Sequence, residues 1–475
     1  RPLLHCLQCF APVANQLYFG LSGTAPQNYT ARILVNGAVA AWSTRTGTWS
    51  TLNNLASQAL TLPVTIQAVD SEGQVLKAIS FTVVAEESPQ EKSGTISSDT
   101  TWSGTQGVFT VAGDITITSG ATLTVASNTT VLFSPNTRII LDNGTLNLAG
   151  TSDAPALLYS RTNTASWSIE SSGSSVITGA YAVLAGGRLV ATNGAQLAFR
   201  DSALSNYSGT NGIIEADGAS GVSLIRCKVS DYASAFFRNS PTLVDSCLFT
   251  HMSVGGLDLV GAGSGTWIQR TTVDTSTGTG IVHGIRFTDG TGGTVSNAWI
   301  SNLSGTGIAL VSSGASILGS YVHDCRSGIS ASASAGAVIY QNTFADCLIG
   351  IENVTATPTN CILWGNATSA TGGPAAASYC DIEQSGTNLW PGSGNMNRSP
   401  WFRDAAENDA RLLPISPCLT GGIGGTSAGA QFPVGAAPLP PDNLVITNAA
   451  ANQVELRWQD FSSDEEWFEV QQCTN

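Results

Sequence analysis

Apolar and polar side chains alternate with a period of two in the first part of the chain. The segments 31–35, 62–69 and 78–84 carry apolar residues at every second position, and turn residues at 36–37 and 71–73 separate them. Such alternation, bounded by Asn-Gly or a Gly-containing turn, is typical of half-buried antiparallel strands. We predict an Ig-like β-sandwich over residues 1–86 and a charged, Pro-containing linker at 87–96.

From about residue 97 the pattern changes to short apolar segments that recur regularly, with almost no helical periodicity. Six segments end on apolar residues that are 20, 24, 27, 22 and 22 positions apart: Val229, Phe249, Val273, Ile300, Val322 and Phe344. Gly-Ile pairs follow at 284, 307, 328 and 350, spaced by 23, 21 and 22 residues. A strand repeat of this length predicts a solenoid in which each coil buries its face on the next.

Other repeat folds do not fit this spacing. The Leu-x-x-Leu-x-Leu frame of leucine-rich repeats is absent, and a β-propeller needs about twice the period. We therefore predict a right-handed parallel β-helix over residues 97–435, with neighbouring coils about 4.8 Å apart. The predicted fold class is all-β, a β-helix solenoid with small β-sandwich modules at both ends.

Small residues lie two positions before each apolar end, which predicts one inward column: Cys227, Cys247, Thr271, Ala298, Ser320 and Asn342. Cys325 and Cys347 fall in a second column, three residues after Val322 and Phe344. Adjacent coils bring each cysteine pair within the Cα distance that a disulfide permits. We expect stacked free thiols in both columns, with a Cys227–Cys247 or Cys325–Cys347 disulfide as the open alternative.

The C-terminal residues 436–475 contain three strand candidates. The Pro-Pro-Asp-Asn-Leu opening at 440–444, the run Val-Glu-Leu-Arg-Trp at 454–458 and the run at 463–470 resemble the start of a fibronectin type III domain. About 36 residues of that module are present. The resemblance implies a partial fibronectin type III segment.

The entry and exit of the solenoid also resemble a known group. The segments 108–117 and 120–125 look like the first coils of secreted bacterial right-handed β-helix proteins of the pectin-lyase-like superfamily, and 397–418 looks like their closing segment. The order of sandwich, β-helix and fibronectin type III resembles a piece of a large multidomain secreted protein. The resemblance implies a fold and a compartment, because relatives include polysaccharide lyases, hydrolases and epimerases as well as adhesins and spacers.

Composition narrows the function classes. The formal net charge is −14 at pH 7, charged residues make up 11% of the chain, and lysine occurs three times. An acidic chain without basic patches disfavours nucleic acid, and no apolar run reaches the length of a membrane helix. Cys6 and Cys9 form half of a zinc motif with no second pair nearby, so no metal or cofactor is expected. We expect a secreted or cell-surface monomer, excised from a longer chain.

One candidate site follows from the corner column, two residues after each apolar end: Asp231, His251, Thr275, Asn302, Asp324 and Asp346. Asp324 and Asp346 fall on adjacent coils, roughly 5 Å apart, which suits the carboxylate pair of a retaining glycosidase. His323 adjoins this pair, and we assign these three residues as catalytic candidates. The alternative is a turn column in which Asp and Asn cap backbone groups.

A second candidate site follows the Gly-Ile pairs, where Asp258, Arg286 and Glu352 share a column and Arg238 is expected one coil earlier. With His283 and Arg326 they form the predicted substrate-binding set, because arginines beside a carboxylate can bind a polyuronate and neutralise its acid group during β-elimination. An exposed salt-bridge ladder is the alternative.

Aromatic residues and known motifs complete the candidates. We expect exposed aromatics to stack on sugar rings, with Trp299 in the substrate-binding set and Trp267, Tyr232 and Tyr321 as further candidates. His283-Gly284 and Arg286 resemble elements of polygalacturonases, but Val282 and Phe287 break both motifs. That mechanism is therefore not transferred, and pectate-lyase signatures are absent as well.

These observations support two hypotheses. The first is a carbohydrate-directed β-helix that acts on an extracellular polysaccharide as a glycoside hydrolase or polysaccharide lyase, with the groove over coils 231–352 as its site. The second is a non-catalytic adhesion or spacer segment of a large surface protein. No nucleic acid and no membrane insertion is expected under either hypothesis.

Overall fold

The computed structural model describes most of the chain between residues 90 and 432 and parts of the two ends. The described ranges are 5–9, 18–25, 30–43, 48–54, 61–70, 73–84, 90–152, 154–161, 166–278, 280–290, 292–333, 336–405, 408–432, 442–450 and 453–459. The chain divides into two units, one of residues 1–90 with 438–475 and the other of residues 91–437. The first boundary lies inside the predicted linker, where Gln90–Ile96 is a strand.

The first unit contains two four-stranded antiparallel sheets. In sheet order, one contains His5–Cys9, Tyr18–Thr24, Thr48–Asn54 and Ala41–Ser43, and the other contains Ala38–Val39, Arg32–Val35, Thr61–Val69 and Val75–Val84. Asn36 and Gly37 both have positive φ, 49° and 81°, which is the backbone of the predicted two-residue hairpin. Near the C-terminus Asp442–Ala450 and Gln453–Gln459 pair antiparallel, and the rest of the predicted fibronectin segment lies outside the described residues.

The second unit is a parallel β-helix of about 13 turns, which confirms the predicted fold class. Strands of successive coils pair in parallel and in register, so three faces run along the solenoid. The first face is an 11-stranded sheet: Thr100–Trp102, Thr122–Ala126, Thr145–Ala149, Val176–Ala180, Gln196–Arg200, Gly221–Ile225, Thr242–Asp245, Trp267–Gln269, Thr294–Ser296, Ser316–Leu318 and Val338–Tyr340.

The second and third faces are linked by three long strands that bend from one to the other, Phe109–Ile117, Trp299–Ser313 and Tyr321–Ser332. The second face also contains Thr130–Phe133, Ala156–Ser160, Ala182–Ala185, Ala203–Ser205, Lys228–Tyr232, Leu248–Met252, Thr272–Ser276, Thr343–Ala345, Ile362–Trp364 and Asp381–Ile382. The third face also contains Arg138–Asp142, Trp167–Ser172, Gly187–Thr192, Ile214–Asp217, Ala235–Arg238, Gly255–Val260, His283–Gly290, Ile349–Glu352 and Thr368–Thr371.

The interior is a stack of apolar side chains, one layer per coil. On the third face, the inward column runs through Ile169, Leu189, Ile214 and Leu257 to Ile351, and each of these residues is at most 1% exposed. Parallel strands in register place like residues above one another, so the sequence repeat becomes a continuous core. Among the described residues, helical structure is limited to the short 3₁₀ turns Gly104–Gln106, Pro417–Leu419 and Ile423–Gly425.

Each bend between faces uses a residue in the left-handed backbone region. The bend from the second to the third face has φ between 55° and 59° at Asn206, Asp231, His251, Thr275 and Asn302. Asn and Asp tolerate this region better than other non-glycine residues, because their short side chains bond locally. Backbone geometry therefore selects small polar residues at the corners of the solenoid.

The predicted inward column of small residues is present, and its members are 0 to 2% exposed. Cys227 N–H donates to Cys247 Sγ at 3.3 Å, and Ser320 N–H donates to Asn342 Oδ1 at 2.8 Å. Cys247, Ser320 and Asn342 thus each accept a hydrogen bond from a buried backbone N–H of the preceding coil. The column continues into Cys361 and Cys380. The cysteines that are free thiols rather than disulfides are Cys227, Cys247, Cys325, Cys347, Cys361, Cys380 and Cys418.

The C-terminal part of this unit covers the outer side of the second face. Cys418 Sγ lies 3.0 Å from Asp381 Oδ2, and Ala430 N–H donates to Thr343 Oγ1 at 2.9 Å. The Phe432 ring packs edge-on against Tyr321, with centroids 5.6 Å apart. Burial raises the pKa of the Asp381 carboxyl, which is fully buried beneath this segment. The second face is therefore closed over the last coils, whereas the third face carries the exposed polar groups described below.

Candidate functional site

The structure places Asp324 and Asp346 at the corner between the second and third faces. Their φ values are 50° and 52°, so both continue the left-handed corner column. His323 pairs in register with Ala345 one coil on, which puts Asp324 beside Asp346 as the sequence predicts. The corner backbone by itself already favours Asp at both positions, so their residue type has a structural cause.

His323 is not accessible, contrary to its predicted catalytic role. Its side chain is 2% exposed, and its ring stacks on Tyr321 with centroids 4.6 Å apart. Nδ1–H donates to Asp324 Oδ2 at 2.8 Å, and Nε2 is buried without a hydrogen-bond partner. Burial lowers the pKa of His323, with Asp324 opposing that shift. A neutral imidazole under two aromatic rings fits a packing role at this corner.

Asp346 is exposed at the next coil of the corner column. Burial raises the pKa of its carboxyl, and the neighbouring charge of Asp324 raises it further. Glu383 contributes in the same direction, while His323 opposes it. An acid with a raised pKa beside an ionised one is the pattern used by acid and nucleophile pairs, so the carboxylate pair retains a chemical rationale.

The third face carries an outer column whose members pair in register from coil to coil. In order these are Ile140, Glu170, Val190, Glu215, Phe236, Asp258, Arg286, Ala309, Ser330, Glu352 and Thr371. The predicted sharing of one column by Asp258, Arg286 and Glu352 is therefore correct.

Arg238 lies one coil before Asp258 as predicted, but it does not share the column of Asp258. Phe236 pairs with Asp258, and Arg238 pairs with Val260 two residues further along the strand. The guanidinium of Arg238 instead reaches Asp217 Oδ2 at 3.2 Å. The inward Ala235 and Leu257 fix this register, so the predicted ladder from Arg238 through Asp258 to Arg286 does not form.

Asp258 and Arg286 form a close ion pair. Arg286 Nε donates to Asp258 Oδ1 at 2.6 Å, and Ser234 Oγ donates to Asp258 Oδ2 at 3.4 Å. Asp258 is 6% exposed, whereas the Arg286 side chain is 40% exposed. Among the described residues, Arg286 makes its hydrogen bond through Nε, so its terminal nitrogens face outward and can take a carboxylate in a fork.

Arg326 and Glu352 form the next ion pair along this face. Arg326 Nη1 lies 3.2 Å from Glu352 Oε2, and Ser327 Oγ donates to the same oxygen at 2.6 Å. The Arg326 side chain is 44% exposed, and Glu352 is 18% exposed. Arg326 comes two residues after Asp324 on strand Tyr321–Ser332, so one strand carries members of both candidate sites.

His283 begins the strand His283–Gly290 that carries Arg286, and the charges of Arg286 and Arg326 both act on it. Burial lowers the pKa of its imidazole, the guanidinium of Arg286 lowers it further, Asp258 opposes the shift and Arg326 adds to it. Its Nδ1 is buried without a hydrogen-bond partner among the described residues. No protein group in the described part of the chain fixes its tautomer, so a bound ligand would set it. Because its pKa is lowered, the imidazole is neutral at physiological pH.

The sequence spacing places Ala309 and Ser330 in this column, but Thr306 was missed and no site role was assigned to the small residues between the two ion pairs. Thr306 and Ala309 are 2% and 3% exposed, and Ser330 Oγ donates to Thr306 Oγ1 at 3.3 Å. Ser327 was also missed, although it holds Glu352. The Gly-Ile spacing contained the signal, because these residues lie within three positions of Gly307-Ile308 and Gly328-Ile329.

The aromatic candidates divide by exposure. Trp299 packs edge-on against Tyr321 and His323 with centroids 5.0 and 5.3 Å away, and its Nε1–H donates to Ser301. Tyr321 and Tyr232 are buried, at 1% and 3% exposed. Trp267 is 46% exposed, but it lies on the first face. Within the described residues Trp299 is thus part of the packing around His323 rather than of the His283 surface.

A metal centre has no support in the described ranges, where no group of three or more His, Cys, Asp or Glu side chains is positioned to hold an ion. The same residues include no helix long and apolar enough to cross a membrane.

Comparison with known proteins gives one family and two solved structures. The profile of the family described as "Periplasmic copper-binding protein (NosD)" matches residues 168–390, just under half of the chain. The periplasmic alginate epimerase AlgG is 12% identical over 54% of this chain and 71% of that chain, with a TM-score of 0.36. The family 28 exopolygalacturonase of Yersinia enterocolitica is 9% identical over 71% of this chain and 96% of that chain, with a TM-score of 0.19. No curated protein matches the chain.

Proposed function

We propose that this protein binds an acidic polysaccharide on its third face and cleaves it by β-elimination, with His283 as the base. The observation that carries the proposal is a neutral imidazole on which the charges of two exposed arginines, Arg286 and Arg326, both act. Both guanidinium groups lower the pKa of His283, so the local potential favours an anionic group there. A location outside the cytoplasm, periplasmic or extracellular, accords with such a substrate.

The arginines serve the substrate carboxylate. The Arg286 side chain is 40% exposed and its strand neighbour on the next coil is Ala309, whose small side chain leaves room for a sugar ring. A bidentate guanidinium–carboxylate contact fixes orientation and withdraws charge from the acid group. Neutralising that carboxylate makes the hydrogen on the carbon beside it more acidic.

His283 then removes that hydrogen. The pair of electrons from the broken C–H bond forms a double bond to the neighbouring ring carbon, and the bond from that carbon to the glycosidic oxygen breaks. The proton remains on the imidazole, and the departing oxygen takes a proton from water. A base whose pKa lies below its ordinary value is unprotonated in mildly acidic solution, as this step requires.

The test uses the full chain with a panel of acidic and neutral polysaccharides. Ultraviolet absorbance reports the unsaturated end that elimination creates, and a reducing-end assay reports cleavage of any kind. We expect an absorbance rise with acidic polymers and its loss in His283→Gln. Unchanged absorbance production by His283→Gln would overturn the role of this base.

Hydrolysis by Asp324 and Asp346 is the second candidate, because the pKa of Asp346 is raised beside another carboxylate. It predicts new reducing ends without absorbance, lost in Asp324→Asn and Asp346→Asn and retained in His283→Gln. Binding without new reducing ends for any polymer would favour the adhesion or spacer hypothesis.

Copper binding does not fit the described residues. Cu(I) prefers thiolate and thioether ligands and Cu(II) prefers imidazole. The paired thiols of Cys227 with Cys247 and Cys361 with Cys380 are at most 2% exposed and take part in the interior hydrogen-bond ladder. His283 and His323 lie in separate environments, so no step is assigned to a metal.

A further inference from the structure

The outer column has an alternating composition over six coils. Its first, third and fifth members Ile140, Val190 and Phe236 are apolar, and its second, fourth and sixth members Glu170, Glu215 and Asp258 are carboxylates. All except Asp258 are half-buried on the outside of the solenoid. An outer apolar residue on every second coil contributes nothing to the interior core, so neither core packing nor the corner backbone accounts for the pattern.

Each carboxylate of the column has an arginine partner. Arg138 lies 3.6 Å from Glu170, Arg188 lies 2.8 Å from Glu215, and the Arg286–Asp258 pair described above follows. Arg138 and Arg188 lie two strands apart on the third face, on Arg138–Asp142 and Gly187–Thr192. Arg286 lies four strands after Arg188, on His283–Gly290, and Arg238 lies on the strand midway between those two. Arg138 also pairs with Asp114 at 2.6 Å. Each of these contacts offers oxygen acceptors and N–H donors side by side.

Charge pairs and apolar side chains recognise different parts of a sugar ring. Hydroxyl groups bond to the carboxylate oxygens and guanidinium nitrogens, while the C–H face of a pyranose ring packs on an aliphatic or aromatic side chain. Neighbouring coils are about 4.8 Å apart, which is close to the advance of a linear polysaccharide per ring. A glycan lying along the solenoid axis therefore keeps one ring on each coil.

We infer that the outer column from Ile140 to Asp258 is a binding track for a linear polysaccharide with a two-residue repeat, which leads the chain into the His283 surface. Successive rings contact an apolar side chain and a charge pair in turn. A ribbon-like glycan in which every second ring is rotated by half a turn presents its ring faces and hydroxyl edges in that order. The inference rests on the proposed function for the identity of the site at the end of the track.

The experiment measures affinity against chain length by calorimetry, with a size series of oligouronates from disaccharides to chains longer than the track. Affinity should continue to rise for oligomers longer than the His283 surface alone can hold. The rise should occur with every second added ring. Val190→Ser and Phe236→Ser should each weaken binding of the longest oligomers by about threefold to tenfold, because each removes apolar contact area. Binding of the shortest oligomers should not change.

Two control variants are matched to the track variants. Gln196→Ser changes an exposed residue of the same coil as Val190, on the first face. Arg226→Ala breaks an ion pair with Asp201 at another corner. It is the control for Arg188→Ala, which breaks the pair of Arg188 with Glu215 in the track. Neither control should alter oligomer affinity, and thermal unfolding checks that each variant is folded.

The outcomes separate the track from the proposed function. If short oligomers are turned over and longer oligomers bind no more tightly than they do, the track is overturned and the His283 site is retained. Length-dependent binding that is lost in Val190→Ser, together with turnover unaffected by His283→Gln, supports the track and overturns the assigned chemistry. Equal losses in the track variants and in Gln196→Ser would overturn the track as a specific surface.

Discussion

The corner column and the outer column run along the same coils and are both polar, yet different forces choose their residues. At the corner, a positive φ at every coil restricts the side chain to types that tolerate the left-handed region. On the third face the strands have ordinary extended geometry, and the backbone imposes no such choice. A carboxylate at the corner is therefore weak support for function, whereas a charge pair on the open face needs another explanation.

The two histidines show the same difference. His323 is covered by Tyr321 and Trp299 and bonds to the adjacent Asp324. His283 is half-buried, is acted on by the charges of Arg286 and Arg326 and makes no hydrogen bond within the described residues. Both are neutral because burial lowers their pKa. The His323 imidazole is thus packed in the fold, and the His283 imidazole is available to contact a ligand.

The largest expected effect is on turnover in His283→Ala. General-base catalysis contributes roughly 100- to 10,000-fold in rate, so removal of the imidazole should lower kcat by about that factor. His251→Ala is the matched control, because His251 is an exposed histidine of the corner column. Steady-state kinetics on an acidic polysaccharide give both values. Equal rates in the two variants would contradict the distinction between the columns.

Arg286→Lys tests whether the fork of the guanidinium binds the substrate acid group. Lysine keeps a positive charge next to Asp258, but it cannot make the bidentate contact of a guanidinium with a carboxylate. Charge-assisted hydrogen bonds contribute about 1.5 to 3 kcal/mol, so KM should rise by at least about tenfold with a smaller change in kcat. Arg238→Lys, which lies on the same face and pairs with Asp217, should leave the site kinetics unchanged.

The pH dependence of kcat/KM tests the electrostatics around His283. The active form is neutral and its pKa is lowered from 6.5, so activity persists below that pH and is lost as pH falls through the lowered pKa. Arg326→Ala removes a cation that disfavours protonation of His283, so the pKa of His283 should rise and the acidic limb should move to higher pH. A limb that stays in place would show that Arg326 does not act on this imidazole.

His323 should affect stability rather than turnover. Its folded-state pKa is depressed, so protonation favours the unfolded chain, and the unfolding free energy should fall as pH decreases below about 6.5. His323→Gln removes this group, so its unfolding free energy should depend less on pH in the same range. Thermal unfolding followed by circular dichroism at several pH values measures the difference. A greater pH dependence in the variant would contradict the assignment.

The smallest effect is expected at the corner itself. Asn tolerates a positive φ, and the raised pKa of Asp346 means that its ionised form destabilises the fold at neutral pH. Asp346→Asn should therefore leave the unfolding free energy equal or up to about 0.5 kcal/mol higher. Asp346→Val should cost about 1 to 2 kcal/mol, because a branched side chain is strained in the left-handed region. Denaturant unfolding separates the two, and a large loss of turnover in Asp346→Asn would favour hydrolysis.

The coil repeat made much of the site predictable. Gly284-Ile285 and Gly350-Ile351 give the register on the third face, so Asp258, Arg286 and Glu352 could be aligned from spacing alone. Arg238 was misplaced because the second face pairs Val229 with Phe249 at a spacing of 20 residues, whereas the third face pairs Phe236 with Asp258 at a spacing of 22. That register depends on which inward residues stack, here Ala235 on Leu257. Residue spacing along the chain does not reveal which residues stack.

The sequence by itself determined the β-helix, the stacking of the cysteines in the interior column and the two polar columns, because each follows from a repeat whose coils stack in register. That the stacked cysteines are free thiols was decided only by the structure. Tertiary structure decided which column is open. His323 is packed beneath aromatic rings, and the C-terminal segment that contacts Tyr321 and Thr343 lies some 90 residues further along the chain. No local pattern records that contact, because burial depends on which distant segment packs on a face. The surface around His283 lies on the face that this segment does not cover.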